Sequence, residues 1–127
     1  MKFGVHYAAW IGGEPLVPSA RDITLGISER NQKVATIICT NGDFVDEKAA
    51  DRIASSRSIV PFISIDGLRD LHDKRRGEGS YDNALKAMGR FKERKAMIGY
   101  STTITSENFR EVSSERFMDE MVKIAPS

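Results

Sequence analysis

The sequence is poor in cysteine. One thiol, Cys39, stands among 127 residues, so no internal disulfide can form and the expected compartment is a reducing one, the cytoplasm. The same count excludes a self-contained cysteine-ligated metal centre, because zinc and iron–sulfur sites draw several thiolates from one neighbourhood. His6 and His72 stand far apart, without metal-ligand spacing. Neither sign of charge prevails: 19 Lys and Arg against 18 Asp and Glu leave a formal net charge of +1. That balance lacks the electrostatic footprint of a nucleic-acid or anionic-membrane binder. No apolar run approaches the roughly 20 residues that span a bilayer, and no charged-then-apolar leader is read at the start. Low-complexity tracts are absent as well. A length of 127 residues is room for one ordinary domain. Hydrophobic residues at 40% and charged residues at 29% fit a globular chain rather than a disordered one.

What the chain does contain is a recurring order: an apolar run, a polar turn, then a helical pattern. The runs are Val5 to Ile11, Val34 to Cys39, Ile59 to Ile65 and Met97 to Ile104. They are short, rich in β-branched and aromatic residues, and continuously apolar, as a strand covered on both faces is. Helical patterns are predicted over 19–31 with Ile23 and Ile27, and over 46–56 with Asp46 as N-cap and Ala49, Ala50 and Ile53 on one side. Two more are predicted over 80–95 with Ser80 as cap, and over 114–124 with Phe117, Met118, Met121 and Val122. Strand–helix alternation implies parallel strands joined by right-handed crossovers. At roughly 30 residues per βα unit, the expected fold is α/β, a parallel sheet of about four strands with flanking helices. It is either a small open sheet or part of a larger barrel, since a full eight-unit barrel needs about 250 residues.

Polar and glycine residues follow the strands at GGEP, TNGD and IDG, the edge where parallel sheets bind ligands. Gly12 and Gly13 allow close approach of backbone to a ligand, and Pro15 suits a helix start. Thr40 and Asn41 sit in turn chemistry. Ser64 and Asp66 alternate along one strand, so they share a face. Arg75 and Arg76 follow Lys74 in a basic stretch that reads first as a solvated face, although a guanidinium there can clamp a carboxylate. Thr103, Thr105 and Asn108 end the last run. Cys39, inside an apolar run, reads as a small buried hydrophobe.

GGEPL, then TNG, then ISIDG, then the HDxxRGxGS stretch (His72, Asp73, Arg76, Gly77, Gly79, Ser80), in this order and spacing, are together specific. Over roughly residues 5–108 the chain resembles the radical S-adenosylmethionine (SAM) superfamily, in particular iron–sulfur oxidoreductases near its peptide-maturase and molybdenum-cofactor branches. The resemblance implies part of a six-unit βα barrel related to the TIM barrel. It also implies a SAM cosubstrate, and a 4Fe–4S cluster whose electron cleaves SAM to a 5′-deoxyadenosyl radical. By resemblance Gly12, Gly13 and Glu14 hold the methionyl ammonium, and Thr40 and Asn41 face the pocket. Ser64 stands toward the ribose or carboxylate region, with Asp66 as a further candidate cofactor contact on the same strand, and Arg76 is a cofactor or substrate contact. The family's CxxxCxxC loop has no counterpart after Met1, Lys2, Phe3 and Gly4. Residues 1–127 are therefore expected to be one partial core domain, without the first βα unit and the last strands, unable to bind the cluster and inactive alone. A fragment edge at residues 5–11 predicts pairing of two copies. A cluster-free module that recognises a peptide or partner, and an unrelated nucleotide-binding α/β domain, are the rival expectations.

Overall fold

The computed structural model describes residues 4–124; Met1, Lys2 and Phe3, named above, lie outside them. Within the described residues ten elements follow one another: β1 (Tyr7–Trp10), α1 (Pro18–Arg30), β2 (Ala35–Thr40), α2 (Glu47–Ser55), β3 (Ile59–Ser64), α3 (Arg69–Arg76), α4 (Ser80–Glu93), β4 (Gly99–Ser101), α5 (Phe109–Val112) and α6 (Glu115–Ile124). The four strands form one parallel sheet in the order β1-β2-β3-β4. When parallel strands are laid down in one direction by crossovers of one hand, the helices fall on one face. The burial pattern follows. Thr36, Ile38 and Thr40 are buried, while Ala35, Ile37 and Cys39 between them are not. The expectation of strands covered on both faces is corrected accordingly: helices cover one face, and the other is open.

The core lies between sheet and helices, around Leu25, Ile38, Ile53, Ile63, Phe91 and Phe117. α2 is capped by Asp46, whose carboxylate accepts from the Ala49 amide at 2.8 Å, and it buries Ala49, Ala50 and Ile53 as predicted. α1 corrects its prediction. Ile23 and Ile27 are exposed, and Thr24, Leu25 and Ser28 are buried. The polar anchor decides this orientation: Trp10 Nε1 donates to Ser28 Oγ at 3.2 Å, which holds that face against β1. Ser80 is not the cap of α4. Asp73 reaches forward to accept from the Gly79 amide (3.1 Å), the Ser80 hydroxyl (3.1 Å) and the Tyr81 amide (2.8 Å). On α6, Phe117 and Met121 are buried, whereas Met118 and Val122 face outward.

Two details position the rim. Pro61 sits inside the central strand β3, where a missing amide normally breaks a ladder. Alternate residues of a parallel strand bond opposite neighbours. Ser58 O bonds Thr36 on the β2 side, and Ile65 N bonds Ser101 on the β4 side. Pro61 shares the side of Ile65 and lies ahead of Gly99, the first residue of β4, so no ladder bond is lost. Gly99 is required by close packing: a Cβ there would stand 2.5 Å from the Phe62 ring. β1 is an outer strand, and Tyr7, Ala8 and Ala9 are exposed along it. Among the described residues no helix is long and apolar enough to cross a membrane.

Candidate functional site

The turns after the strands meet at the carboxyl end of the sheet around a cleft of about 520 Å³. The β1 turn brings Gly12, Gly13 and Glu14; β2 brings Thr40 and Asn41; β3 brings Ser64; and α3 brings Arg76. Of the residues that the resemblance assigns to the cosubstrate, all but Asp66 line this space. Ile11, Cys39, Ser101, Thr102 and Thr103 complete it. Cys39 corrects its reading as a buried hydrophobe: it is half-buried on the open face, with its thiol in the cleft wall. Burial pushes the Cys39 thiol above its ordinary pKa.

Glu14 ties the first two turns together. Its Oε1 accepts from the Leu16 amide (3.0 Å) and the Thr40 hydroxyl (2.7 Å), and its Oε2 accepts from the Asn41 amide (2.8 Å). The Asn41 side chain is turned away to Asp43, donating through Nδ2 at 2.9 Å. Gly12 and Gly13 take φ of +91° and +56°, a region that suits glycine, and a Cβ on either would meet no atom within 4 Å. Their bare backbone therefore faces open space, and their carbonyls accept no hydrogen bond among the described residues.

Asp66 lies beneath the cleft rather than in it. It is fully buried. Its Oδ2 accepts from Arg75 Nε (2.8 Å) and Arg76 Nε (2.7 Å), and its Oδ1 accepts from the Thr103 amide (2.8 Å). Burial alone would raise its pKa; the Thr103 amide and the Arg76 and Arg75 guanidiniums outweigh that and hold the carboxyl below its ordinary range. Its backbone is fixed from two sides. The Asp66 amide donates to His72 Nδ1 at 3.1 Å, and Asn108 Nδ2 donates to the Asp66 carbonyl at 2.8 Å. His72 is buried edge-on to Tyr81, and its Nε2 has no partner among the described residues. The HDxxRG residues are thus structural in two places, His72 under Asp66 and Asp73 at the start of α4, while Arg76 reaches the cleft. The hydroxyls of Ser64 and Ser101 and the terminal nitrogens of Arg76 carry no hydrogen bond among the described residues.

Two groups implied by the sequence can be weighed against these residues. A zwitterionic ligand fits: bare carbonyls stand at the β1 turn, and a guanidinium with free hydroxyls stands across the sheet. A 4Fe–4S cluster does not fit. It takes three thiolates from the family's loop, and this chain has Cys39 alone; among the described residues no group of three or more His, Cys, Asp or Glu converges to hold a metal. Thr105 and Asn108 line a separate hollow.

The family described as the radical SAM superfamily matches residues 1–117. Fe-coproporphyrin III synthase of Methanosarcina barkeri is 30% identical over 113 residues, covering 87% of this chain and 28% of that protein. Pre-heme d1 synthase of Dinoroseobacter shibae is 35% identical over 110 residues, covering 84% and 26%. The chain thus spans little more than a quarter of these relatives' length. Among solved structures, Streptococcus suis SuiB bound to S-adenosylmethionine superposes with a TM-score of 0.74 at 23% identity, over 93% of this chain and 26% of that one. The structure of anSMEcpe with bound AdoMet superposes with a TM-score of 0.72 at 20% identity, over 93% and 33%.

Proposed function

This chain belongs to the radical SAM superfamily, and from that premise we propose that it is the SAM-cradling part of a radical SAM enzyme. The observation that carries the reading is the sorting of uncommitted polar groups in one cleft. Acceptors, the Gly12 and Gly13 carbonyls, stand on the β1 side. Donors, the Arg76 guanidinium with the Ser64 and Ser101 hydroxyls, stand on the β3–β4 side. A methionyl group carries an ammonium and a carboxylate on one carbon and matches that division. In this reading the Gly12–Gly13 turn accepts from the ammonium. Glu14 fixes that turn and adds negative charge beside it, with Thr40 and Asn41 as its anchors. Arg76 and Ser64 bind the carboxylate through charge-assisted hydrogen bonds. Asp66 positions Arg76 from below. When bound, SAM supplies a sulfonium whose reductive cleavage is this superfamily's radical source. The residues present give that cleavage no electron donor, so the isolated chain binds SAM and returns it intact.

The proposal extends to partners and place. Two copies pair through β1, whose outer edge is unpaired among the described residues and which exposes the apolar side chains of Tyr7 and of the flanking Val5 and Ile11. A reducing compartment such as the cytoplasm suits the single thiol.

Cys39 is a built-in reporter of the cleft. At alkaline pH, where its thiolate is populated, SAM is expected to slow alkylation of Cys39 by N-ethylmaleimide about tenfold at saturation, and ATP to leave it unchanged. Equal rates with and without SAM would refute the reading and favour a cluster-free binding module; equal protection by ATP would favour a general nucleotide site.

A further inference from the structure

Two arginines share one buried oxygen. Asp66 Oδ2 holds Arg75 Nε at 2.8 Å and Arg76 Nε at 2.7 Å. Neighbours on a helix point about 100° apart, so the two guanidiniums straddle the carboxylate and emerge in different places. Arg76 enters the cleft described above. Arg75 enters a second hollow of about 350 Å³, walled by Leu71 and Lys74 of α3 and by Thr105, Ser106 and Glu107 after β4.

The polar groups of this hollow are unevenly committed. Lys74 Nζ and Glu107 Oε2 pair at 2.8 Å and cancel. The Thr105 hydroxyl donates to Asn108 Oδ1 at 3.2 Å. Arg75 spends only Nε on Asp66; its terminal nitrogens, on a side chain 41% exposed, meet no acceptor among the described residues. The Ser106 hydroxyl beside it is also uncommitted among them. The excess charge facing the hollow is that of one guanidinium, pinned at its inner end so that little rotamer freedom is left to lose.

We infer that the hollow walled by Arg75 and Ser106 is a second anion subsite, which takes a carboxylate group of the substrate. The planar guanidinium fork, with its terminal nitrogens free, matches the two coplanar oxygens of a carboxylate. The hollow shares α3 and the β4 loop with the cleft, so a carboxylate on Arg75 lies next to a ligand on Arg76. That the carboxylate belongs to a substrate rests on the SAM reading; that the hollow binds one does not.

The test is titration of the 15N-labelled full chain with succinate, followed at the Arg75 Nε–Hε and Ser106 amide resonances. The expected result is a saturable shift with a Kd of about 10 mM or tighter. Arg75→Gln should weaken it about tenfold or more, and Arg75→Lys, which keeps the charge without the fork, should retain part of it. SAM protection of Cys39 should stay within about twofold in both variants. Should Arg75→Gln fail to fold, Arg75→Lys and Ser106→Ala carry the comparison. The inference falls if no saturable shift develops, if Arg75→Gln shifts like the parent, or if inorganic phosphate binds more tightly than succinate. Protection of Cys39 by SAM without a succinate response sinks this inference alone; a succinate response without SAM protection sinks the SAM reading alone.

Discussion

Replacing Asp66 by asparagine changes one atom at the point where α3, β3 and the β4 loop meet. The parent carboxylate accepts from Arg75 and Arg76 on one oxygen and from the Thr103 amide on the other. A side-chain amide can present only one oxygen. Whichever way the substituted side chain turns, its NH2 group faces either two arginine Nε–H groups or the Thr103 N–H, and a buried donor is left opposite a donor. A hydrogen bond to a charged group contributes about 1.5–3 kcal/mol. The two arginine bonds share an oxygen and come from side chains 41% and 27% exposed, so their sum is discounted for solvent screening and for coupling. Adding the stranded donor gives a net loss of about 3 kcal/mol. For a chain of this length that corresponds to a fall in Tm of about 10 °C. Arg76 loses its inner anchor as well, so SAM affinity should fall about tenfold. Thermal unfolding by circular dichroism and SAM protection of Cys39 read the two effects. A variant whose Tm moves by less than about 2 °C, with unchanged SAM protection, would refute the assignment of Asp66 as the fixed point of the site.

Burial first, and the Arg76 charge second, hold the His72 imidazole below its ordinary 6.5. A depressed pKa means that stability is fully present above 6.5 and is lost as pH falls through the folded value. Urea unfolding should therefore show declining stability below about pH 6.5, with His72→Gln less stable at neutral pH but flatter across that range; equal slopes would contradict the burial argument. At the β1 edge, sedimentation should show dimers that Tyr7→Lys shifts toward monomer, since a charge on an exposed edge opposes strand pairing. A clean monomer of the parent chain at high concentration would contradict edge pairing.

The parts of the fold that a stripe of apolar residues marks were legible in advance. α2 and α4 bury Ala49, Ala50, Ile53, Ala84, Ala87, Met88 and Phe91, which recur at helical spacing. α3 was not legible, because every residue but Leu71 and His72 is charged. What holds it is polar, the His72 ring under the Asp66 amide and two arginines on the Asp66 carboxylate. α1 misled because Ile23 and Ile27 carry a helical spacing on the exposed side, while a tryptophan–serine contact chooses the other. In the cleft, Gly12 and Gly13 were readable as small residues beyond a strand end, whereas Ser64, the last residue of β3, and Arg76, the last of α3, were named by the resemblance. Cys39 and Ser101 were not, since only the register between strands shows which of two alternating faces looks into the cleft. Asp66 was visible as a charge at a strand end, but its place beneath the site depends on a meeting with α3 that no local pattern announces.

The central claim is that Gly12 and Gly13 on one side and Arg76 with Ser64 on the other form a cradle for a methionyl zwitterion. A crystal structure of the full chain soaked with SAM tests it most directly. The account predicts the ligand's ammonium against the two glycine carbonyls and its carboxylate against Arg76 and Ser64. SAM seated away from this cleft, or absent from it at saturating concentration, would contradict the account.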